Sequence, residues 1–251
     1  MRRRAWLLAL PFASACSFDL DAVARPDGAP PDAPQHDGPP SDGGEDALCA
    51  VLPLSASAQA DTMLASTSPG MSFGAISIAN VGTALGSFGL FRFDVSMLPP
   101  TARVQSVRID LTFAATATSC GPACGSCMSL EHGGTLSLYY LRSDWVENEA
   151  TWNQPAIGLT WGTAGAEQAG VDRSAEPIAT ITHTPGASER ITVDSAALAA
   201  LNITWRQNGL LSFKLRTLDT ALMIVATRES GMDGCVPGGY QPAKLVISYC
   251  P

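Results

Sequence analysis

The chain has 251 residues, a formal net charge of −8, 46% hydrophobic residues and seven cysteines. An acidic chain with no basic cluster beyond its first four residues has no electrostatic footprint for nucleic acid. Its apolar content is high enough to bury a sizeable core.

Met1-Arg2-Arg3-Arg4 followed by the apolar stretch Ala5 to Ala15 reads as a signal peptide. At about eleven residues that stretch falls well short of the roughly 20 a spanning helix needs, so no transmembrane segment is expected. Ala13-Ser14-Ala15 fits an ordinary A-x-A cleavage site, and with Cys16 it also resembles the lipobox of bacterial lipoproteins. Seven cysteines would leave one thiol unpaired in an oxidising compartment, whereas lipidation of Cys16 leaves six for three disulfides. The expectation is therefore a signal peptide over 1–15 and a lipid anchor on Cys16, the chain's sole hold on a membrane. Ser17, in place of an aspartate after the lipidated cysteine, implies by that resemblance the outer membrane or cell surface.

Residues 16–47 are expected to form a disordered tether: from Asp19 onward they are rich in Pro, Asp and Gly and too poor in large apolar side chains to offset chain entropy. The tether also carries most of the charge. Its eight acids (Asp19, Asp21, Asp27, Asp32, Asp37, Asp42, Glu45, Asp46) face one base, Arg25, while residues 48–251 hold 15 acids and 11 bases, a net of only −4.

From residue 48 to 251, period-2 alternation recurs and predicts an all-β domain. Candidate strands lie at 57–66, 74–80, around Phe91, Phe93 and Val95, and along Val107, Ile109, Leu111 and Phe113. Further candidates are 135–141, 178–182, Leu211–Arg216, 222–227 and Leu245–Tyr249. One short helix is predicted from a cap at Asp194 or Ser195, with Leu198, Leu201 and Trp205 on one face. Short strands separated by Gly, Pro and Ser turns favour a jelly-roll-type antiparallel β-sandwich over a parallel α/β sheet.

Several segments, in order, resemble the bacterial and archaeal DNRLRE domain, named from disaggregatase-related repeats and overlapping a carbohydrate-binding module family. They are Ala60-Asp61-Thr62 with Ser68-Pro69-Gly70 and Phe73-Gly74, then Leu90–Val95 with Leu98-Pro99, and most distinctively Ser143-Asp144-Trp145-Val146-Glu147-Asn148-Glu149-Ala150-Thr151-Trp152-Asn153-Gln154-Pro155. Thr227–Ser230 and Pro242–Tyr249 keep the same order. Two stretches depart from it, the Cys-rich insertion 119–134 and residues 167–185. The resemblance implies a jelly-roll sandwich that binds acidic or neutral polysaccharide or serves as an accessory module on surface proteins.

Gly70-Met71-Ser72-Phe73-Gly74 matches the nucleophile-elbow pattern G-x-S-x-G, with His132 and His183 downstream. An elbow needs a helix after the serine, yet Ala75-Ile76-Ser77-Ile78 is strand-like, so the expectation is a glycine turn and no enzyme. Cys120, Cys124 and Cys127 have spacings that suit a metal or an iron–sulfur cluster, but export favours disulfides. Cys49 and Cys250 would pair if the first and last strands are neighbours, leaving Cys235 to a partner among the other three.

Trp145, Trp152 and Trp161 could stack on sugar rings or fill the core. Tyr139 and Tyr140 must face opposite ways on a regular strand, so at most one is expected to be buried and Tyr139 is a candidate contact; Tyr240 sits in a glycine-rich loop. Arg92, Arg108 and Arg216, on the polar phase of strands like Lys214, could hold uronate carboxylates. No cofactor is expected, although Glu147 and Glu149 could help hold a structural Ca²⁺. The expected function is non-catalytic binding of polysaccharide or extracellular matrix by a lipid-anchored surface domain. The alternatives are a structural or protein-interaction (adhesion) module without sugar binding and, third, a glycan lyase or esterase.

Overall fold

The computed structural model describes residues 49–83, 86–113, 133–185, 189–194, 197, 209–219, 222–230 and 241–251. The chain divides into two units, Met1–Glu45 and Asp46–Pro251, and the described residues all lie in the second. Cys16, Cys120, Cys124, Cys127, Cys235, His132, Tyr240, the tether and all but Ala197 of the predicted helix segment after Asp194 lie outside the described residues. None of the described helical residues forms a helix long and apolar enough to cross a membrane.

Ten strands follow one another: β1 (Leu52–Ala65), β2 (Ile78–Gly82), β3 (Ser87–Asp94), β4 (Arg103–Leu111), β5 (Gly134–Tyr140), β6 (Ala179–His183), β7 (Glu189–Asp194), β8 (Leu210–Thr217), β9 (Leu222–Ala226) and β10 (Lys244–Cys250). Every pairing between them is antiparallel. The fold is the all-β sandwich that the alternation predicted. β7 was not among the expected strands, although Ile191 and Val193 give it one greasy face.

β1 joins the two sheets. Its first half pairs with β10 (Leu52 opposite Tyr249) and its second half with β3 (Ala65 opposite Ser87), and the register shifts between Ala58 and Ala60. Such an extra residue bends a strand and increases its twist, which lets one strand pass from one sheet to the next. The first sheet runs β7-β4-β10-β1 and the second β1-β3-β8-β5-β6, with β2 pairing both β3 and β9. Phe91 and Phe93 of β3, Val107, Ile109 and Leu111 of β4, Leu136, Leu138 and Tyr140 of β5, Leu211, Phe213 and Leu215 of β8, and Leu245 and Ile247 of β10 form the core between them.

Cys49, just before β1, and Cys250, at the end of β10, are joined as a disulfide, with Cα atoms 5.7 Å apart and 201 positions between them in sequence. The antiparallel β1–β10 pair brings the two ends of the domain together. Replacing both cysteines with alanine is expected to lower stability by about 2–4 kcal/mol, because the closed loop is long. Urea denaturation of the variant beside the wild-type domain measures the loss.

Candidate functional site

Residues 141–178, between β5 and β6, contain no strand and roof the outer face of the second sheet. Ala60 and Leu64 of β1 and Leu90 of β3 pack there against Leu141, Trp145, Ala150, Trp161 and Ala166. Positions that local alternation assigns to solvent are thus covered by chain from far along the sequence.

The roof is pinned at several points. The buried Asp172 carboxylate accepts backbone N–H groups of Gly162 (2.8 Å), Thr163 (3.0 Å) and Gln168 (2.9 Å). Trp161 Nε1 donates to Thr151 O at 2.9 Å. Glu149 Oε2 accepts the Ile157 N–H at 2.9 Å, so Glu149 holds the loop and does not join Glu147. Trp152 stacks on Phe88 with centroids 5.4 Å apart, and a Cβ on Gly165, whose φ is +79°, would stand 2.7 Å from the Trp152 ring. Only glycine fits there without strain.

This placement corrects several expected sugar contacts. Trp145 and Trp161 are 1% and 5% exposed, so neither offers a ring face to a ligand, and Trp152 alone of the three is half-buried. Tyr139 and Tyr140 do point to opposite faces, yet they are 6% and 8% exposed, because both faces of β5 are covered. Tyr140 enters the main core, and the Arg173 guanidinium lies 4.3 Å over the Tyr139 ring. The arginines are engaged within the domain. Arg92 lies over Trp145 at 4.7 Å and donates to Asp144 and to the Trp145 carbonyl. Arg108 pairs with Asp110 at 2.9 Å, and Arg216 with Glu167 at 3.2 Å.

Lys214 of β8 has no exposed side-chain surface. Its Nζ donates to Gly165 O (2.7 Å), Ala166 O (3.2 Å) and Glu167 Oε1 (2.6 Å), while Glu167 Oε2 also accepts from Arg173 and Arg216. Burial lowers the lysine pKa to about 7, against the opposing pull of Glu167.

A second polar cluster forms beyond the start of β10, where Lys244 lies opposite Ser57 and the later part of β1 has no strand on that edge. Glu147 Oε1 accepts the Asp61 N–H at 2.9 Å, and Arg228 Nη1 donates to Gln59 O at 2.5 Å, so side chains complete the edge that a strand would otherwise complete. Asp61 is 1% exposed and its Oδ2 accepts the Arg228 N–H at 2.8 Å. Arg228 Nη2 bridges Glu147 Oε2 at 2.8 Å and Glu229 Oε1 at 2.9 Å. Burial raises the Asp61 pKa to about 7; the Arg228 N–H opposes that rise, and Glu229 and Glu147 add to it. Of this group the sequence marks only Glu147 as a candidate ligand; Asp61, Arg228 and Glu229 stand there only as parts of the segments that carry the resemblance. Asp61 could have been found as an acid inside the apolar run of a predicted strand.

The G-x-S-x-G segment is a loop between β1 and β2, with no helix after it. Ser72 is exposed and its Oγ donates to Glu147 O, whereas His183 is buried, pairs with Glu189 at 2.8 Å and stacks on Phe113. The two residues serve separate contacts.

No family model matches the chain, and no curated protein matches it either.

Proposed function

We propose that this chain displays a non-catalytic interaction module outside the cell, anchored through Cys16, and that residues 141–178 form its contact surface for another protein. The observation that carries this reading is a rigid loop with aliphatic side chains turned outward. Val146, Ile157, Leu159 and Val171 are all exposed, Ile157 by 75%, although Asp172, Trp161 and Glu149 fix the backbone that bears them. Aliphatic side chains held in solvent on a fixed scaffold suit a protein partner, whose apolar surface they can desolvate. Sugar rings are better served by exposed aromatic faces.

A photo-crosslinking residue at position 157, in cells producing the full chain, is expected to trap a defined protein. The same group at position 190, on β7, should trap none. Ile157→Asp with Leu159→Asp should reduce capture at a third loop position, 171, at least tenfold while leaving the melting temperature within a few degrees. Polysaccharide binding is the second reading, favoured by the half-buried Trp152 and by the DNRLRE resemblance. Glycan-array binding that disappears in Trp152→Ala, with no crosslink at 157, would replace the first reading with the second.

A further inference from the structure

We propose that Asp61, Glu147 and Glu229 hold a calcium ion that ties β1, the 141–178 loop and the turn after β9 into one unit. Each of the three carboxylates offers one oxygen, and these oxygens lie within 4.8 Å of one another. Calcium bonds oxygen at about 2.3–2.6 Å, so ligands on opposite sides of the ion stand about 5 Å apart and the observed spread suits it. Magnesium asks for shorter, near-ideal octahedral geometry, and zinc prefers nitrogen and sulfur, which this group of three carboxylates does not offer.

Hydrogen bonding within the domain leaves part of the cluster unanswered. Asp61 Oδ1 and Glu229 Oε2 are buried and accept no hydrogen bond, although Asp61 Oδ2 and Glu229 Oε1 each have a donor. A buried carboxylate oxygen without a donor is unfavourable, and a cation satisfies it directly. Charge points the same way. When all three acids are ionised, one guanidinium, Arg228, bonds to Glu147 and Glu229, while Arg92, which also acts on Glu147, is itself paired with Asp144, leaving a local negative charge that a divalent ion balances. The remaining coordination positions would be filled by water, as is common in calcium sites of modest affinity.

The ion would join three segments far apart in sequence, so its effect should appear in stability, independently of any partner. The full domain is dialysed against EDTA, then melted with EDTA, with 10 mM MgCl₂ or with 10 mM CaCl₂. For a dissociation constant in the 10⁻⁴–10⁻³ M range of extracellular modules, calcium should raise the melting temperature by roughly 3–10 °C, and magnesium by less. Terbium added to the metal-free domain should show tryptophan-sensitised luminescence that calcium displaces. Asp61→Asn and Glu229→Gln should each abolish both signals. In EDTA, Asp61→Asn should melt no lower than wild type, because it removes a buried charge and keeps an acceptor for the Arg228 N–H. If Asp61→Asn does not fold, Glu229→Gln alone decides. Equal melting in calcium and EDTA with no terbium signal overturns the proposal, as does a calcium shift that survives in the folded variants.

Discussion

Trp145→Ala is expected to destabilise the domain by about 3–5 kcal/mol, the range for removing a large aromatic side chain from a core. Trp145 is among the largest fully buried side chains, and it sits where the roof meets the sheet, against Ala60, Leu64 and Leu90 and beneath the Arg92 guanidinium. Deleting the ring leaves a cavity between two elements whose backbone hydrogen bonds lie near the ends of the roof, at Leu141, Ser174 and Ile178, and it removes the surface on which Arg92 lies. Its Nε1 is buried with no acceptor, so the indole N–H contributes nothing favourable. Trp145→Phe should therefore lose clearly less than Trp145→Ala. Trp152→Ala, at a half-buried position, should also cost less. Chemical denaturation of the three variants gives the order. A loss below about 1 kcal/mol for Trp145→Ala would mean that residues 141–178 do not depend on this contact and that the roof is held by its polar pins alone.

The parts of the fold legible in the sequence are those in which one strand face is dry and the other wet. β4 and β10 alternate cleanly: Val107, Ile109 and Leu111, and Leu245 and Ile247, are buried, while Arg108, Asp110, Val246 and Ser248 between them are not fully covered. β7 obeys the same rule through Ile191 and Val193, but its short run beside a helix-cap signal at Asp194 hid it. Alternation says which residues share a face and nothing about what lies over that face. Lys214 and Arg92 therefore read as solvated, although the 141–178 segment covers them, and Trp145 and Trp161 read as candidates for a ligand, although that segment packs them against the sheet. The Trp-x-Glu-x-x-x-Thr-Trp stretch was visible as a motif. Its use was not, because the partners of Glu147 are Asp61, 86 positions earlier, and Arg228, 81 positions later. The acidic cluster is assembled from three segments, and no local spacing announces such a site.

Glu167→Gln is expected to cost about 3–5 kcal/mol at pH 6 and clearly less at pH 9. Glu167 is the carboxylate that faces Lys214, Arg173 and Arg216 together, at 2.6, 3.2 and 3.2 Å. Removing its charge leaves the fully buried lysine with neutral partners, the Gly165 and Ala166 carbonyls, the Phe88 ring 3.9 Å away and the new amide oxygen, and with two guanidiniums beside it that repel it. The pH dependence follows from the direction of the lysine shift. Burial lowers the Lys214 pKa in the folded state to about 7 from an ordinary 10.5. Between those values the unfolded chain binds the proton and the folded chain does not. Stability from this group thus rises with pH across that window, by up to about 1.4 kcal/mol per unit, and the full penalty for burying the charge applies below pH 7. At pH 9 the folded lysine is neutral with or without Glu167, so the carboxylate has less attraction to lose. Asp61, which takes up its extra proton at lower pH, is present in both proteins and cancels from the difference. Lys214→Met should flatten the rise expected of wild type between pH 7 and 10. Equal losses for Glu167→Gln at pH 6 and pH 9, measured by urea denaturation, would show that the carboxylate acts only on Arg173 and Arg216. The lysine would then be held under the roof by the two carbonyls and the Phe88 ring rather than by its counter-ion.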